Sequence, residues 1–421
     1  MHSVTRLGAV VLTAAVVAGC QARTPPPHSQ PSPFQPTTAD FAAIARVLDT
    51  RAHDILTGDR AGFMATVDPA DKRLMAGQRV FFANLEALPV KSMSYHLEHY
   101  GLTAFGVGDG VPALAPPVTE HVELRGPDIR PVANAVDETF VRRAGHWLLG
   151  AERLAPASSR FDQPQSRPWF GGPIAVARKG PLVVVADRRK GGQATSLLHD
   201  VAADIRFDAQ VTGQRPDYRL LVDATSNGSV TLMNSLGSEQ AAADTFEVAA
   251  ATPDGSRYTA LAGERVKVNP KHVVEYLRDP SLLKHELTHF LLRRFSPRQP
   301  TWLTEGVADF VGYYPHPESD LWVPPSTYRS LMRQAGSPSL PTSGVFDIRP
   351  TADYAIAHAA VLWLVDTYGM PRLIALMRAY SRYDDQQFGD NHTNHVLEQV
   401  DGIAEQQLAV HTFDVLRLLR S

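Results

Sequence analysis

The chain has 421 residues, 44% of them hydrophobic and 20% charged, with a formal net charge of -3 at pH 7. That size and apolar content fit roughly two globular domains, and the small net charge points to no particular partner. No basic patch with interleaved aromatics occurs, which argues against nucleic acid as a partner, and the single cysteine, Cys20, excludes an internal disulfide.

Met1 to Arg6 carries positive charge, Leu7 to Gly19 is short and apolar, and Val17-Ala18-Gly19-Cys20 resembles a bacterial lipobox, with Val where Leu is commonest. Thirteen apolar or small residues fall short of the ~20 that a membrane-spanning helix needs, so cleavage is expected rather than a permanent helical anchor. Residues 1–19 therefore read as a lipoprotein signal peptide. Cys20 reads as the lipidated N-terminus, which would hold the protein to a membrane on the extracytoplasmic side of the cell envelope; an ordinary secretory signal with an incidental Cys is the alternative. Residues 20–37 contain Pro25, Pro26, Pro27, Pro31, Pro33 and Pro36 among Ser, Thr and Gln. Such a segment cannot bury a core and is expected to be an extended tether.

Residues 38–155 begin with two predicted helices. Phe41, Ile44, Leu48 and Ile55, with Val47 and Leu56, mark the first; Phe81, Phe82, Leu85 and Leu88 mark the second. Strands follow. Met93, Tyr95, Leu97 and His99 alternate with Ser94, His96 and Glu98, Val118 to Arg125 alternates again, and Phe140 to Leu149 reads as a hairpin turning at Ala144-Gly145. Helices followed by a curved antiparallel sheet resemble the cystatin-like roll of nuclear-transport-factor-like domains. His96, His99, His121 and His146 read as surface or packed imidazoles rather than a pocket, and no catalysis is assigned to this domain.

Residues 156–168, rich in Pro, Ser, Gln and Arg with little to bury, read as a linker. From residue 169 to 421 the pattern is α+β. Strands are expected at Ile174 to Ala177 and Leu182 to Ala186, a helix at Ala194 to Phe207, a strand at Arg219 to Asp223, and further short strands before the next helix.

That helix carries His285-Glu286-Leu287-Thr288-His289, an H-E-x-x-H sequence. With 16 His and 15 Glu in the chain, chance predicts it about 0.02 times. Asp279-Pro280-Ser281 supplies an N-cap and a proline at the first helical position, the apolar run from Leu282 to Phe295 suits a buried helix, and Ser296-Pro297 ends it. Side chains four apart share a helix face, so His285 and His289 can grip one metal ion with Glu286 beside it. After Pro300 and Thr301, Glu305 and Asp309 are again four apart, in Trp302-Leu303-Thr304-Glu305-Gly306-Val307-Ala308-Asp309-Phe310. Catalytic zinc sites use three protein ligands and keep a fourth position open, which suits Glu305 as third ligand and Asp309 as the acid that orients a ligand histidine.

Over residues 279 to 312 these motifs resemble the gluzincin clan of zinc metallopeptidases, particularly the bacterial peptidase MA-like group. The resemblance implies a zincin-like domain following the roll, zinc held by His285, His289 and Glu305, Glu286 as general base, Asp309 as partner of a ligand histidine, and a peptide or protein substrate. Tyr354 to His358 and Val361 to Gly369 are similar to the helix these peptidases place after the site. The metzincin pattern fails at Leu292 and Phe295, and the aminopeptidase G-x-M-E-N strand is absent, which favours an endopeptidase. The aspzincin pattern keeps Asp309 as a rival to Glu305 for the third ligand. Val266-Lys267-Val268 stands where zincins build substrate-binding strands. Zinc would lower the pKa of a water to about 7 and polarise the scissile carbonyl while Glu286 moves the proton. The oxyanion donor is open among His358, Tyr354, Tyr313 and Tyr314. His392 and His395 form a second H-x-x-H, read as a surface loop without a third ligand. The alternative function is a catalytically silent, zinc-containing binding or assembly lipoprotein; Glu286 argues for the enzyme, because a structural zinc needs no base.

Overall fold

A computed structural model describes residues 34–98, 103–107, 110–154, 167–227, 243–252, 258–320, 323–342, 350–382 and 391–418. The signal-like segment with Cys20, the tether up to residue 33, His99 and linker residues 155–166 lie outside the described residues. The described fold is mixed α+β with two sheets.

The chain enters at α1 (Thr38–Thr57), which Thr37 and Asp40 start as a reciprocal capping box: Thr37 N donates to Asp40 at 2.8 Å and Asp40 N to Thr37 Oγ1 at 3.3 Å. Phe34, expected to belong to the extended tether, instead lays its ring 6.0 Å from that of Trp147, so the tether's last residues dock on the sheet. After α2 (Arg60–Ala65) and α3 (Lys72–Ala87) come β1 (Val90–Leu97), β2 (Thr103–Val107), β3 (Val111–Ala115), β4 (Pro117–Leu124), β5 (Val132–Arg143) and β6 (His146–Leu154). They form an antiparallel sheet in the order β1-β4-β5-β3-β2, with β6 also paired to β5. The expected hairpin is present. Ala144 and Gly145 both have positive φ, 46° and 83°, the conformation a two-residue turn between twisted strands demands.

The second sheet is built from β7 (Ile174–Lys179), β8 (Leu182–Asp187), β9 (Leu221–Ala224), β10 (Ala243–Ala251) and β11 (Tyr258–Val268), in the order β10-β11-β9-β8-β7. β8, β9 and β11 run parallel, with α4 (Gly191–Thr212) as the crossover that parallel strands require; β7 and β10 are antiparallel edges. The last two strands before the motif helix are nine and eleven residues long rather than short. Helices follow: α5 (Val273–Tyr276), α6 (Ser281–Leu292), α7 (Thr301–Tyr313), α8 (Pro325–Gln334), α9 (Pro350–Tyr368), α10 (Met370–Arg382), α11 (Asn391–Asp401) and α12 (Glu405–Leu418). α11 carries His392 and His395, so the second H-x-x-H lies on a helix, not in the loop its Gly389-Asp390-Asn391 flank suggested.

Both faces of the second sheet are covered, which is why β8 reads as an unbroken apolar run. Leu182, Val184, Val222 and Val266 pack under Leu197, Val201 and Ile205 of α4 and Leu283, Leu287 and Phe290 of α6. The opposite face presents Val183, Val185 and Leu221 to Phe81, Phe82 and Trp169 in a core that also contains Met93 and Val122 of the first sheet. The two parts therefore share buried apolar surface. Arg167, expected in a solvated linker, is fully buried: it donates to Glu120 at 2.9 and 2.7 Å and to Glu152 at 2.7 Å. Asp128 and Arg265 form a second buried ion pair between the parts, at 2.7 Å. Among the described residues no single helix is long and apolar enough to cross a membrane.

Candidate metal centre

α6 begins with an Asx turn: Asp279 Oδ1 accepts from Ser281 N at 3.1 Å and from Ser281 Oγ at 2.6 Å. Pro280 is the N-cap residue itself, one position earlier than its expected place inside the helix. The apolar side of α6 is buried against the sheet, and this fixes its rotation so that His285 and His289 emerge together at the opposite margin. Their Nε2 atoms are 3.0 Å apart and their rings stand nearly perpendicular, with centroids 4.7 Å apart.

α7 brings the acids. Glu305 Oε2 lies 3.2 Å from His285 Nε2 and 3.4 Å from His289 Nε2, and Asp309, one turn on, meets His285 Nδ1 at 2.7 Å. Two glycines let α7 come this close to its neighbours. A Cβ at Gly306 would stand 2.3 Å from the carbonyl oxygen of Ala357 on α9, and one at Gly312 would stand 2.9 Å from that of Ser281 on α6. Trp302, Leu303, Val307 and Phe310 bury the rest of α7 in the helical core with Ile356 and Val361.

The donor set suits a cation. With Nδ1–H of His285 donated to Asp309, its Nε2 offers a lone pair toward the same point as His289 Nε2 and Glu305 Oε2. A tetrahedral ion with ligand bonds of about 2.1 Å spaces its ligand atoms about 3.4 Å apart, and the three separations here run from 3.0 to 3.4 Å. The electrostatics agree. Burial pushes the His285 pKa down, but the hydrogen bond and charge of Asp309, and then Glu305, hold it well above the ordinary imidazole value. Burial likewise opposes ionising Glu305, yet the two histidines hold its carboxyl well below the usual range. The negative surroundings that favour a proton on His285 would equally favour a metal ion that displaces it. Among the described residues this is the one group of three potential ligands that converges.

Glu286 points beside the triad and is held from the sheet. Thr245 on β10 has its hydroxyl 2.7 Å from Glu286 Oε2 and 3.0 Å from the Glu286 backbone oxygen. No reading of the sequence found Thr245, which stands forty-one residues upstream in an ordinary strand pattern. Val266-Lys267-Val268, by contrast, belongs to β11, an inner strand; Lys267 spends its ammonium on Asp223, Thr225 and Asn227, and β10 is the edge beside the site.

The remaining candidates separate by depth. Tyr354 of α9 is half-buried, its ring 6.3 Å from that of His285, and burial followed by the charges of Glu305, Asp309 and Glu286 raises its pKa, so its hydroxyl keeps its proton. His358, one turn further, is 1% exposed and stacks on Tyr313 at 6.1 Å. Burial pushes its pKa down to about 4, which makes it a neutral packing ring behind Asp309 rather than a group at the surface of the site. Tyr314 is exposed and packs on Phe207 and Phe310. Compared with known proteins, the chain matches no family model and no curated protein.

Proposed function

We propose that this chain is a zinc metallopeptidase of gluzincin type, an endopeptidase held to the outer side of a bacterial membrane through lipidated Cys20. The observation that carries the reading is the convergence of His285, His289 and Glu305 with Glu286 alongside and Asp309 behind. Two imidazole nitrogens and a carboxylate oxygen suit zinc, which when bound supplies Lewis acidity toward a water and a peptide carbonyl. A five-stranded mixed sheet whose antiparallel edge runs beside α6 resembles the zincin fold, and the first sheet with α1 to α3 resembles a cystatin-like roll.

Each protein group then has a defined task. Asp309 fixes the His285 ring and its tautomer, and Gly306 lets α7 carry Glu305 to the two histidines. Glu286 removes the proton of a nucleophilic water and delivers it to the leaving amine; Thr245 occupies Oε2, so Oε1 is the oxygen free to do so. Tyr354, protonated and at the margin of the triad, is the better placed donor for a developing oxyanion, because His358 is too deep to reach a substrate. The test joins metal analysis of the purified full-length protein to hydrolysis of denatured protein and internally quenched peptides. About one zinc per chain, with hydrolysis lost on chelation and in Glu286→Gln, is expected; a fully zinc-loaded protein that cleaves none of these substrates would overturn the enzyme reading.

A further inference from the structure

At the far end of α6 a concavity of about 320 Å³ is lined by Gln214, Arg215, Pro216, Asp217, Arg219, Leu291, Arg293 and Arg294. Four arginines thus line it, from two segments that lie more than seventy residues apart. One of them has a structural job. Arg293 donates Nη1 to the Phe290 carbonyl at 2.6 Å and Nη2 to Asp217 at 2.7 Å, and pairs its Nε with Glu264, so it caps the helix with all three of its nitrogens engaged. The other three are exposed around it.

Asp217 is the one carboxylate on the pocket wall, and it is already shared: besides Arg293 it accepts the Arg219 backbone N–H at 3.0 Å and lies 3.5 Å from Arg219 Nε. Even with Asp217 and the underlying Glu264 both ionised, four arginines leave an excess of two positive charges. Capping of α6 accounts for Arg293 alone and leaves Arg215, Arg219 and Arg294 without a role. Two of these three are steadied in place. Arg294 donates to the Gln214 side-chain oxygen and stacks over Phe295 at 4.7 Å, and Arg219 is leaned on Asp217. Planar guanidiniums fixed around a small concavity offer paired N–H groups to several oxygens at once, the arrangement that recognises phosphate. The volume is at the lower end for small-molecule pockets and suits a compact group rather than an extended ligand.

We infer that this pocket is an anion site for a phosphate group, gripped by Arg215, Arg219 and Arg294 on the platform that Arg293 and Asp217 form. The phosphate could be free in solution or be the headgroup of an anionic lipid, and one experiment separates the sources. The chain from residue 21 onward, which lacks both the apolar leader and the lipidated Cys20, is titrated calorimetrically with inorganic pyrophosphate at fixed ionic strength, and in parallel tested by co-sedimentation with vesicles of phosphatidylglycerol or of phosphatidylcholine. Saturable 1:1 binding of pyrophosphate assigns a free phosphate; sedimentation with phosphatidylglycerol but not phosphatidylcholine, without pyrophosphate binding, assigns a headgroup. In either case Arg219→Ala and Arg215→Ala, both at exposed positions, should each weaken binding about tenfold with unchanged circular dichroism. Arg73→Ala, an exposed arginine on α3, should leave it unchanged. Binding in neither arm, or an equal loss in Arg73→Ala, overturns the site. The arginine variants separate this site from the metal centre, because pyrophosphate held by a metal ion there would not respond to Arg215→Ala or Arg219→Ala.

Discussion

The hydroxyl of Thr245 and the carboxylate of Glu286 meet at 2.7 Å across the junction between an edge strand and the helix that carries both histidines. Removing the hydroxyl while keeping the shape, in Thr245→Val, should free the Glu286 carboxylate to rotate. Peptide hydrolysis should fall by roughly tenfold in kcat with little change in KM, the signature of a group that acts on the chemical step. Thr245→Ser should restore most of the rate, and bound metal should be unchanged in both. Equal kcat in Thr245→Val and wild type would show that the bond does not matter.

The ligand and base roles separate by measuring metal and rate in the same variants. His289→Ala and Glu305→Gln should lose the metal, while Asp309→Asn should weaken metal affinity or activity by roughly 10 to 100-fold. Glu286→Gln removes no ligand and should keep its metal, yet hydrolysis should drop by at least about 100-fold. Metal lost from Asp309→Asn but kept in Glu305→Gln would exchange the roles of the two acids.

Gly306→Ala tests the crossing of α7 and α9. A methyl 2.3 Å from the Ala357 oxygen must drive the helices apart, so stability should fall by about 1 to 3 kcal/mol and metal affinity should fall with it, because Glu305 is the preceding residue. Denaturant unfolding together with metal titration reads both. An unchanged midpoint would mean that the crossing relaxes freely.

In the first sheet, Glu138 lies directly across from Glu152 in the β5–β6 pairing, 1% exposed, and Arg167 and Gln78 are bound to Glu152 instead. Burial first, and then the charge of Glu152, push the Glu138 pKa up to about 8. The folded chain therefore holds a proton that the unfolded chain releases near pH 4.5. The stability this proton contributes is fully present below that value and is lost as pH rises toward about 8, with a slope of at most about 1.4 kcal/mol per pH unit. Glu138→Gln should flatten this limb relative to wild type in unfolding measurements between pH 5 and 8. Identical slopes in the two proteins would contradict it.

The pairing of His285 and His289 was legible because its spacing is local: i, i+4 on a helix places two side chains on one face whatever the rest of the chain does. The β5–β6 turn at Ala144-Gly145 and the crossover helix after β8 were legible for the same reason. Contacts made by distant segments were not. Thr245 reaches Glu286 only because β10 pairs antiparallel at the edge of the sheet, and nothing in Asp244-Thr245-Phe246 encodes that position. Val266-Lys267-Val268 misled because nearness in sequence to the motif helix says nothing about strand order. Arg167 misled because it sits among prolines and serines, while the carboxylates that bury it, Glu120 and Glu152, come from two strands of the preceding sheet.

The core around Trp169 bears on how the protein can be divided. Val183, Val185 and Leu221 are covered on one side by Phe81, Phe82 and Met93, so a fragment starting at Trp169 would carry His285, His289 and Glu305 on a sheet with one wet hydrocarbon face. Such a fragment should aggregate or demand a substitute lid, and heating the intact chain should melt both sheets in one cooperative transition. A single cut made between the two sheets would then leave the halves bound to each other.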